Sequence, residues 1–404
     1  MNALSIDRDG WTAAGEALLP DAIALRRAIH AEPELGLHLP KTTEKVLKAL
    51  EGLPLEIRQG PSTTGVVAIL RGSANGRTVL LRGDMDALPL EEDTGLEFSS
   101  RTRGAMHACG HDTHVAMLAG AARALCAKRD QLAGTVMFMF QPGEEGYHGA
   151  RFMLDEGLLD VVPEAPVSGA FALHISTMWR SGTINVRPGP LMASADQWTI
   201  TVHGRGGHAS TPHLAADPVP VAAEIVLALQ SMMTRRTDVF DPAVVTVGHL
   251  EAGTTDNVIP ATALVRGTIR TLSPRRRADV LASVQRVGEH VAMAHDMTAE
   301  FVHVEGYPVT VNDAAVAASV TETAAALLGA QASAVMPVPL MGAEDFSYVL
   351  ERVPGAMAFL GGCPPELDPG TAPGNHSNLV RFDEDALPNG VALYAQMAMQ
   401  ALAG

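Results

Sequence analysis

Cysteine is scarce in this chain, with three in 404 residues, at positions 109, 126 and 363. An odd number at irregular spacing argues against a disulfide framework and fits a reducing, cytoplasmic setting. Positive charge is also short. Lys and Arg total 29 against 45 Asp and Glu, a formal charge of −16. That balance disfavours nucleic acid or an anionic membrane as partner. Long apolar runs are missing as well. The longest helical one, Val115 to Ala127, is broken by Arg123 and is too short to span a bilayer. The first twenty residues lack the apolar stretch of a signal peptide. Aromatic residues make up only 4%, so no stacking box for a flat ring is evident. Internal repeats and low-complexity segments are absent.

What is present is an apolar fraction of 47%, ample for a packed core. A chain of 404 residues is long for one core and suggests two domains, or one carrying a large insertion. The first part alternates short apolar runs with helical patterns, as α/β sheets do. Thr78–Leu81, Thr135–Phe140 and Gly169–Leu173 read as buried strands, with Thr113–Leu125 a helix and Ala356–Leu360 a late strand. Each early strand runs into polar residues: Asp84 and Asp86, then Gln141 to Glu145, then His174. Open α/β sheets place their binding crevices at such strand ends.

From about residue 190 to 306 the pattern changes. Gln197–His203 alternates as a half-exposed strand, and a helix from Asp217 to Met233 carries the stripe Val221, Ile225, Leu229 and Met232. Strands are expected at Ala243–Leu250 and Ala261–Thr271. A helix opened by Ser273-Pro274 follows, striped by Val280, Val284, Val287 and Val291, and a strand at Met297–Val304 closes the segment. The order βαββαβ is that of a ferredoxin-like unit. The expected division is therefore 1–189 and 307–404 for one domain, with 190–306 inserted.

The densest chemistry lies in Met106-His-Ala-Cys-Gly-His-Asp-Thr-His114, where one Cys and three His fall within nine residues. Cys109 and His111 offer a thiolate and an imidazole to a borderline divalent metal. Glu144-Glu145 follows an apolar strand. Adjacent carboxylates at a strand end point in different directions, so one can ligate metal while the other acts as general base. His174 ends a strand, and His376 sits in a turn-rich loop. Asp84 or Asp86 could orient a ligating histidine from behind. Gly204-Arg-Gly-Gly-His208 has the look of an anion cradle but lacks the Lys-Ser/Thr of a phosphate loop, which excludes nucleotide binding. Asn257 and Arg270 are the other notable polar residues of the inserted segment. Each of these has an ordinary structural explanation alone; five ligand-type residues plus a spare glutamate exceed what chance supplies.

Taken with Gly83-Asp-Met-Asp-Ala-Leu-Pro89, Gln141-Pro-Gly-Glu-Glu145, Gly206-Gly-His-Ala-Ser210 and Gly374-Asn-His376, the Cys109 segment resembles the aminoacylase/carboxypeptidase metallopeptidase family. More narrowly it resembles the amidohydrolase branch of hippurate hydrolases, N-acyl-amino-acid deacylases and auxin-conjugate hydrolases. The resemblance runs over nearly the whole chain. It implies a zinc-peptidase-like α/β domain, with a central mixed sheet flanked by helices and an inserted lid and dimerisation domain. Cys109, His111, Glu145, His174 and His376 would then hold two divalent metal ions, zinc first and otherwise manganese, cobalt or nickel. Cys109 would replace the bridging carboxylate of sister branches. Glu144 would be the general base, Asp86 a support behind the ligands, and His208 a polariser of the scissile carbonyl. Asn257 and Arg270 would hold the substrate, Arg270 as a clamp for a carboxylate. His107 and His114 would be support or packing. A homodimer or larger assembly through the lid is implied too.

The expected activity is metal-dependent hydrolysis of an N-acyl-L-amino acid to a carboxylic acid and a free amino acid. Within the same chemistry the alternative is a dipeptidase or carboxypeptidase. From other classes come a non-catalytic metal-binding protein, and a redox enzyme using Cys109 as nucleophile.

Overall fold

In the computed structural model, which describes residues 6–74 and 76–403, the apolar runs become the middle of an eight-stranded sheet. The N-terminal leader reading falls in part on residues 1–5, outside the described residues. The sheet order is Glu56–Arg58, Val66–Arg71, Thr135–Gln141, Thr78–Asp84, Val167–Arg180, Gly355–Cys363, Ile184–Val186, Ser333–Val335. Its four central strands, Thr135–Gln141 through Gly355–Cys363, are mutually parallel, while antiparallel pairs flank them on both sides. The sheet is therefore mixed, as expected.

Parallel strands are covered on both faces, so they need unbroken apolar sequence. Thr135–Gln141 and Gly355–Cys363 are buried at every residue. Helices Arg8–His30, His111–Ala127 and Leu387–Ala403 pack with them into one core that includes Phe138, Phe171 and Tyr394. Truncating Phe138 to Ala would cost about 3–5 kcal/mol at such a site.

The chain divides into two compact units. The first comprises the described residues through Leu191, Val311–Val338 and those from Asp345 onward; the second comprises Met192–Thr310 and Pro339–Glu344. The second unit contains Asp196–His203, Pro218–Arg236, Ala243–Ala252, Thr262–Thr271, Pro274–Ala294 and Thr298–Val304 in the order βαββαβ. Its four strands are antiparallel neighbours, with the first strand between the fourth and the third, which is the ferredoxin-like arrangement. The helix stripes face inward: Val221, Ile225, Leu229, Val280 and Val284 are buried with Trp198, Ile200 and Val202. Ser273 caps its helix by accepting a hydrogen bond from the Arg276 N–H, with Pro274 in the first turn.

One strand differs from expectation in a way that matters. His174 does not end a strand; it lies inside Val167–Arg180. The ladder to Thr78–Asp84 is registered only as far as Arg82 opposite Ala172, whereas on the other side the pairing with Gly355–Cys363 continues past Phe359 opposite His174. The histidine thus sits where one neighbour has just left and the other remains. Side chains take over the released amides. The Leu173 N–H donates to the Tyr394 hydroxyl at 2.9 Å, which itself donates to the Arg82 carbonyl at 2.6 Å. The Ile175 N–H donates to His114 Nε2 at 2.7 Å.

Candidate metal centre

Four segments of the first unit converge at this opening in the sheet. Cys109 comes from the loop before helix His111–Ala127, and His111 is that helix's first residue. The turn between them is Gly110, with φ 88°, where a Cβ would also lie 2.4 Å from the Ile175 side chain. Only glycine fits there. Glu144 and Glu145 follow strand Thr135–Gln141, His174 comes from its long strand, and His376 from the loop after strand Gly355–Cys363.

The imidazoles are aimed by their backs. His111 Nδ1 lies 2.8 Å from the Asp86 carbonyl, and His174 Nδ1 lies 2.7 Å from the Ile175 carbonyl. A carbonyl only accepts, so each Nδ1 carries a proton, and in the neutral ring each Nε2 is a lone-pair donor. Nε2 of His174 and Nε2 of His376 each stand 3.3 Å from Cys109 Sγ. His376 Nε2 is also 3.3 Å from Glu145 Oε1. Two ligand sets follow, Cys109 with His111 and His174, and Cys109 with Glu145 and His376, each with donor atoms within 4.8 Å of one another. The sulfur belongs to both. A further grouping joins His111, Glu144 and Glu145, and His111 Nε2 is 4.0 Å from a carboxylate oxygen of each glutamate.

Asp86 backs His111 through its main-chain carbonyl, with a carboxylate oxygen 3.7 Å from the same ring nitrogen. The two carboxylate oxygens accept the backbone N–H groups of Glu144 and Glu145, both at 2.9 Å. They hold the turn that presents the two glutamates. The turn begins at Gly143, φ 71°, whose missing Cβ would meet Leu37 at 2.5 Å.

The charges of these side chains are set by one another. Glu144 is almost wholly buried, and Glu145 nearly so. Burial penalises the Glu145 carboxylate, but His376 and His111 hold it below the usual range. His376 is pushed up to about 10 by its contacts with Cys109 and Glu145. His111 also titrates high: burial opposes its charge, but Asp84 and Cys109 outweigh burial. His174 is held low by burial and by His114, so it stays neutral. Burial and Glu145 push the Cys109 thiol up. His111 Nε2 is buried with no hydrogen-bond partner, an expensive state for a donor set unless something else binds it. Soft sulfur, imidazole nitrogen and carboxylate oxygen converging on one point fit a pair of borderline divalent ions.

Behind the ligands lies a buried network that sequence spacing did not reveal. Asp84 accepts from His114 Nδ1 at 2.5 Å and from Arg82 at 2.5 Å, and lies 3.5 Å from His111 Nε2. Arg82 also reaches Gln141 at 2.9 Å and Asp345 at 3.2 Å. His114, with one nitrogen on Asp84 and the other on the Ile175 amide, is a structural brace. His107 is fully buried and held down to about 3 by burial, so it is a neutral packing residue. Asp345, in Glu344-Asp-Phe-Ser, and Tyr394 carried no motif-level signal, since their partners are distant in the chain.

The remaining expected residues belong to the second unit. His208 pairs with Val258 in a short antiparallel ladder, and the Ala209 N–H donates to the Asn257 carbonyl at 3.1 Å. His208 Nδ1 accepts from the Ser210 N–H at 3.1 Å, which leaves Nε2–H as an exposed donor. Arg270 is half-buried on strand Thr262–Thr271, and burial lowers its pKa. Among the described residues, no helix is long and apolar enough to cross a membrane.

Comparison with known proteins accords with this geometry. The thermostable carboxypeptidase 1 of Saccharolobus solfataricus is 38% identical over 388 residues, covering 94% of each chain. The N-acetylcysteine deacetylase of Bacillus subtilis is 38% identical over 378 residues, 93% of this chain and 96% of that one. Among solved structures, the Bacillus subtilis YXEP protein, described as a dinuclear metal binding peptidase, superposes with a TM-score of 0.82 at 34% identity, covering 96% of this chain and 99% of that one. The model of peptidase family M20/M25/M40 matches residues 80–400, and the chain belongs to that family, a hydrolase of amide bonds.

Proposed function

We propose that this chain is a two-metal amidohydrolase that cleaves N-acyl-L-amino acids to a carboxylic acid and a free amino acid. The observation that carries the reading is the pair of donor sets sharing Cys109, with the buried Glu144 alongside. Cys109, His111 and His174 would hold one ion, and Cys109, Glu145 and His376 the other. Zinc suits this sulfur, nitrogen and oxygen set first; manganese, cobalt and nickel are also admitted. When bound, the ions polarise an amide carbonyl and lower the pKa of a coordinated water.

The chain's own residues do the rest. Glu144, fixed through its backbone by Asp86, takes a proton from the attacking water at a carboxylate oxygen and delivers it to the leaving amine. His208 donates its Nε2–H to the carbonyl oxygen as negative charge develops there. Asn257 holds the substrate, and Arg270 pairs with its carboxylate. A homodimer or larger homo-oligomer formed through the second unit completes the proposal, and light scattering on the eluting protein reports it.

Glu144→Gln tests the central assignment. Turnover of N-acetyl- and N-benzoyl-amino acids should fall by about 10²–10⁴-fold, the range for a lost general base, with two metals still bound. Near-normal turnover would remove Glu144 from that role. The second reading is a carboxypeptidase or dipeptidase, favoured by the equally similar thermostable carboxypeptidase. A substrate panel of acyl-amino acids against unblocked dipeptides separates the two; faster turnover of dipeptides would establish the second.

A further inference from the structure

His376 reaches the cluster from an irregular loop, and its backbone is in the left-handed region at φ 70°. That region is uncommon for a non-glycine residue, and the contacts of the preceding residue fix the loop there. The side-chain amide nitrogen of Asn375 donates to the Cys109 carbonyl at 3.0 Å and to the Ile175 carbonyl at 3.0 Å. The Ile175 carbonyl is the same one that accepts His174 Nδ1–H at 2.7 Å. The His376 N–H adds a bond to the Ala108 carbonyl at 2.9 Å. One amide therefore ties together the Cys109 loop, the carbonyl that sets the His174 ring, and the residue next to His376.

The orientation of that amide is not arbitrary. Both partners are carbonyl oxygens, so only the NH2 end can face them. The cost is visible at the other end, where Asn375 Oδ1 is buried without a hydrogen-bond partner. The side chain forgoes its acceptor to keep two donors on the ligand-bearing segments.

We propose that Asn375 is a positioning residue for the metal centre, holding Cys109, His174 and His376 at the spacing a shared-sulfur pair of ions requires. The inference rests on the two-metal reading above and adds a residue to it. It also separates hydrogen-bond donation from space filling. Aspartate has the shape of asparagine but would set a carboxylate oxygen against two carbonyls. If Asn375 acts by donating, Asn375→Asp is worse than Asn375→Ala; if it merely fills space, the order reverses.

The test uses the full-length protein, stripped of metal and titrated with Co²⁺, with the thiolate-to-cobalt absorption read alongside elemental analysis. Thermal unfolding of each metal-free variant serves as the control for folding. The wild-type chain should take up two ions. Asn375→Ala should bind Co²⁺ about 10–100-fold more weakly, the usual effect of losing a group that orients ligands, with metal-free melting close to wild type. Asn375→Asp should bind more weakly still. Asn375→Ser, which keeps one donor, should fall between Ala and wild type, and it carries the ranking if Asn375→Ala melts early. Wild-type cobalt affinity in Asn375→Ala, or tighter binding by Asp than by Ala, would overturn the proposal. A wild-type chain that takes up no cobalt would instead defeat the two-metal reading, and this inference with it.

Discussion

Two buried polar clusters flank the start of helix His111–Ala127, and they behave in opposite ways. On one side Asp112 accepts from Arg26 at 3.1 Å and from His30 at 2.9 Å through the same oxygen, and His30 lies 3.3 Å from Glu92 on its other nitrogen. Arg26 also pairs with Glu384 at 2.9 Å, so every anion there has a cation against it, although Asp112 Oδ1 has no hydrogen-bond partner. On the other side Cys109, Glu144 and Glu145 gather around imidazoles whose Nε2 atoms point inward, and His111 Nε2 has no hydrogen-bond partner. Both clusters are rich in residues that can bind metal. The lesson is that burial and charge do not mark a reactive centre. Sulfur, nitrogen and oxygen donors converging on one point do.

The largest effect expected from breaking this contrast is in the Asp112 cluster. Arg26→Met breaks the buried pair with Asp112, leaving His30 as its one cationic partner among the described residues, and should cost about 3–5 kcal/mol in urea unfolding while the chain still takes up two metal ions. Loss of metal with little loss of stability would mean the two clusters had been read the wrong way round.

Slightly smaller is a pH effect. His30 is raised from 6.5 to about 9; burial opposes its charge, but Asp112 and Glu92 outweigh it. A base whose pKa is raised by folding contributes its full stability below the unfolded value and loses it as pH rises through the folded one. The difference in unfolding free energy between wild type and His30→Gln should therefore be greatest near pH 6. It should shrink by about 3 kcal/mol towards pH 10. A difference that grows with pH would contradict the pairing.

The Cys109 cluster is sharpened by Asp86→Ala. It frees the Glu144 and Glu145 amides and loosens the turn, so metal affinity or turnover should fall about 10–100-fold with only a modest change in melting. Unchanged kinetics would show that the turn holds itself. At the small end, the exposed pair Arg71–Glu56 should contribute about 0–1 kcal/mol, and Glu56→Gln should leave melting and metal uptake nearly as they were.

How far the chain could be read in advance follows the same physics. Buried parallel strands must be apolar throughout, so Thr135–Phe140 and Ala356–Leu360 were plain in the sequence, as was the βαββαβ order of the second unit. Cys109 and His111 stand out by spacing, and Glu144-Glu145 by following a strand. Partners far apart in the chain were not legible. Nothing local says that the Asp86 carboxylate meets two backbone amides 58 and 59 residues later, or that His114 bonds Ile175. His174 reads as a strand terminus because it follows an apolar run, whereas its strand continues to Arg180 and only the ladder to Thr78–Asp84 stops beside it. Helix Arg8–His30 is not legible in the sequence because Pro20, ordinarily a helix breaker, lies inside it.

The most direct measurement is a zinc titration of the metal-stripped wild-type chain, followed by hydrolysis of an N-acetyl-amino acid. Activity absent from the stripped chain, rising with added zinc and saturating at two equivalents, is the result this account expects. Full hydrolysis by the verified metal-free chain would contradict it.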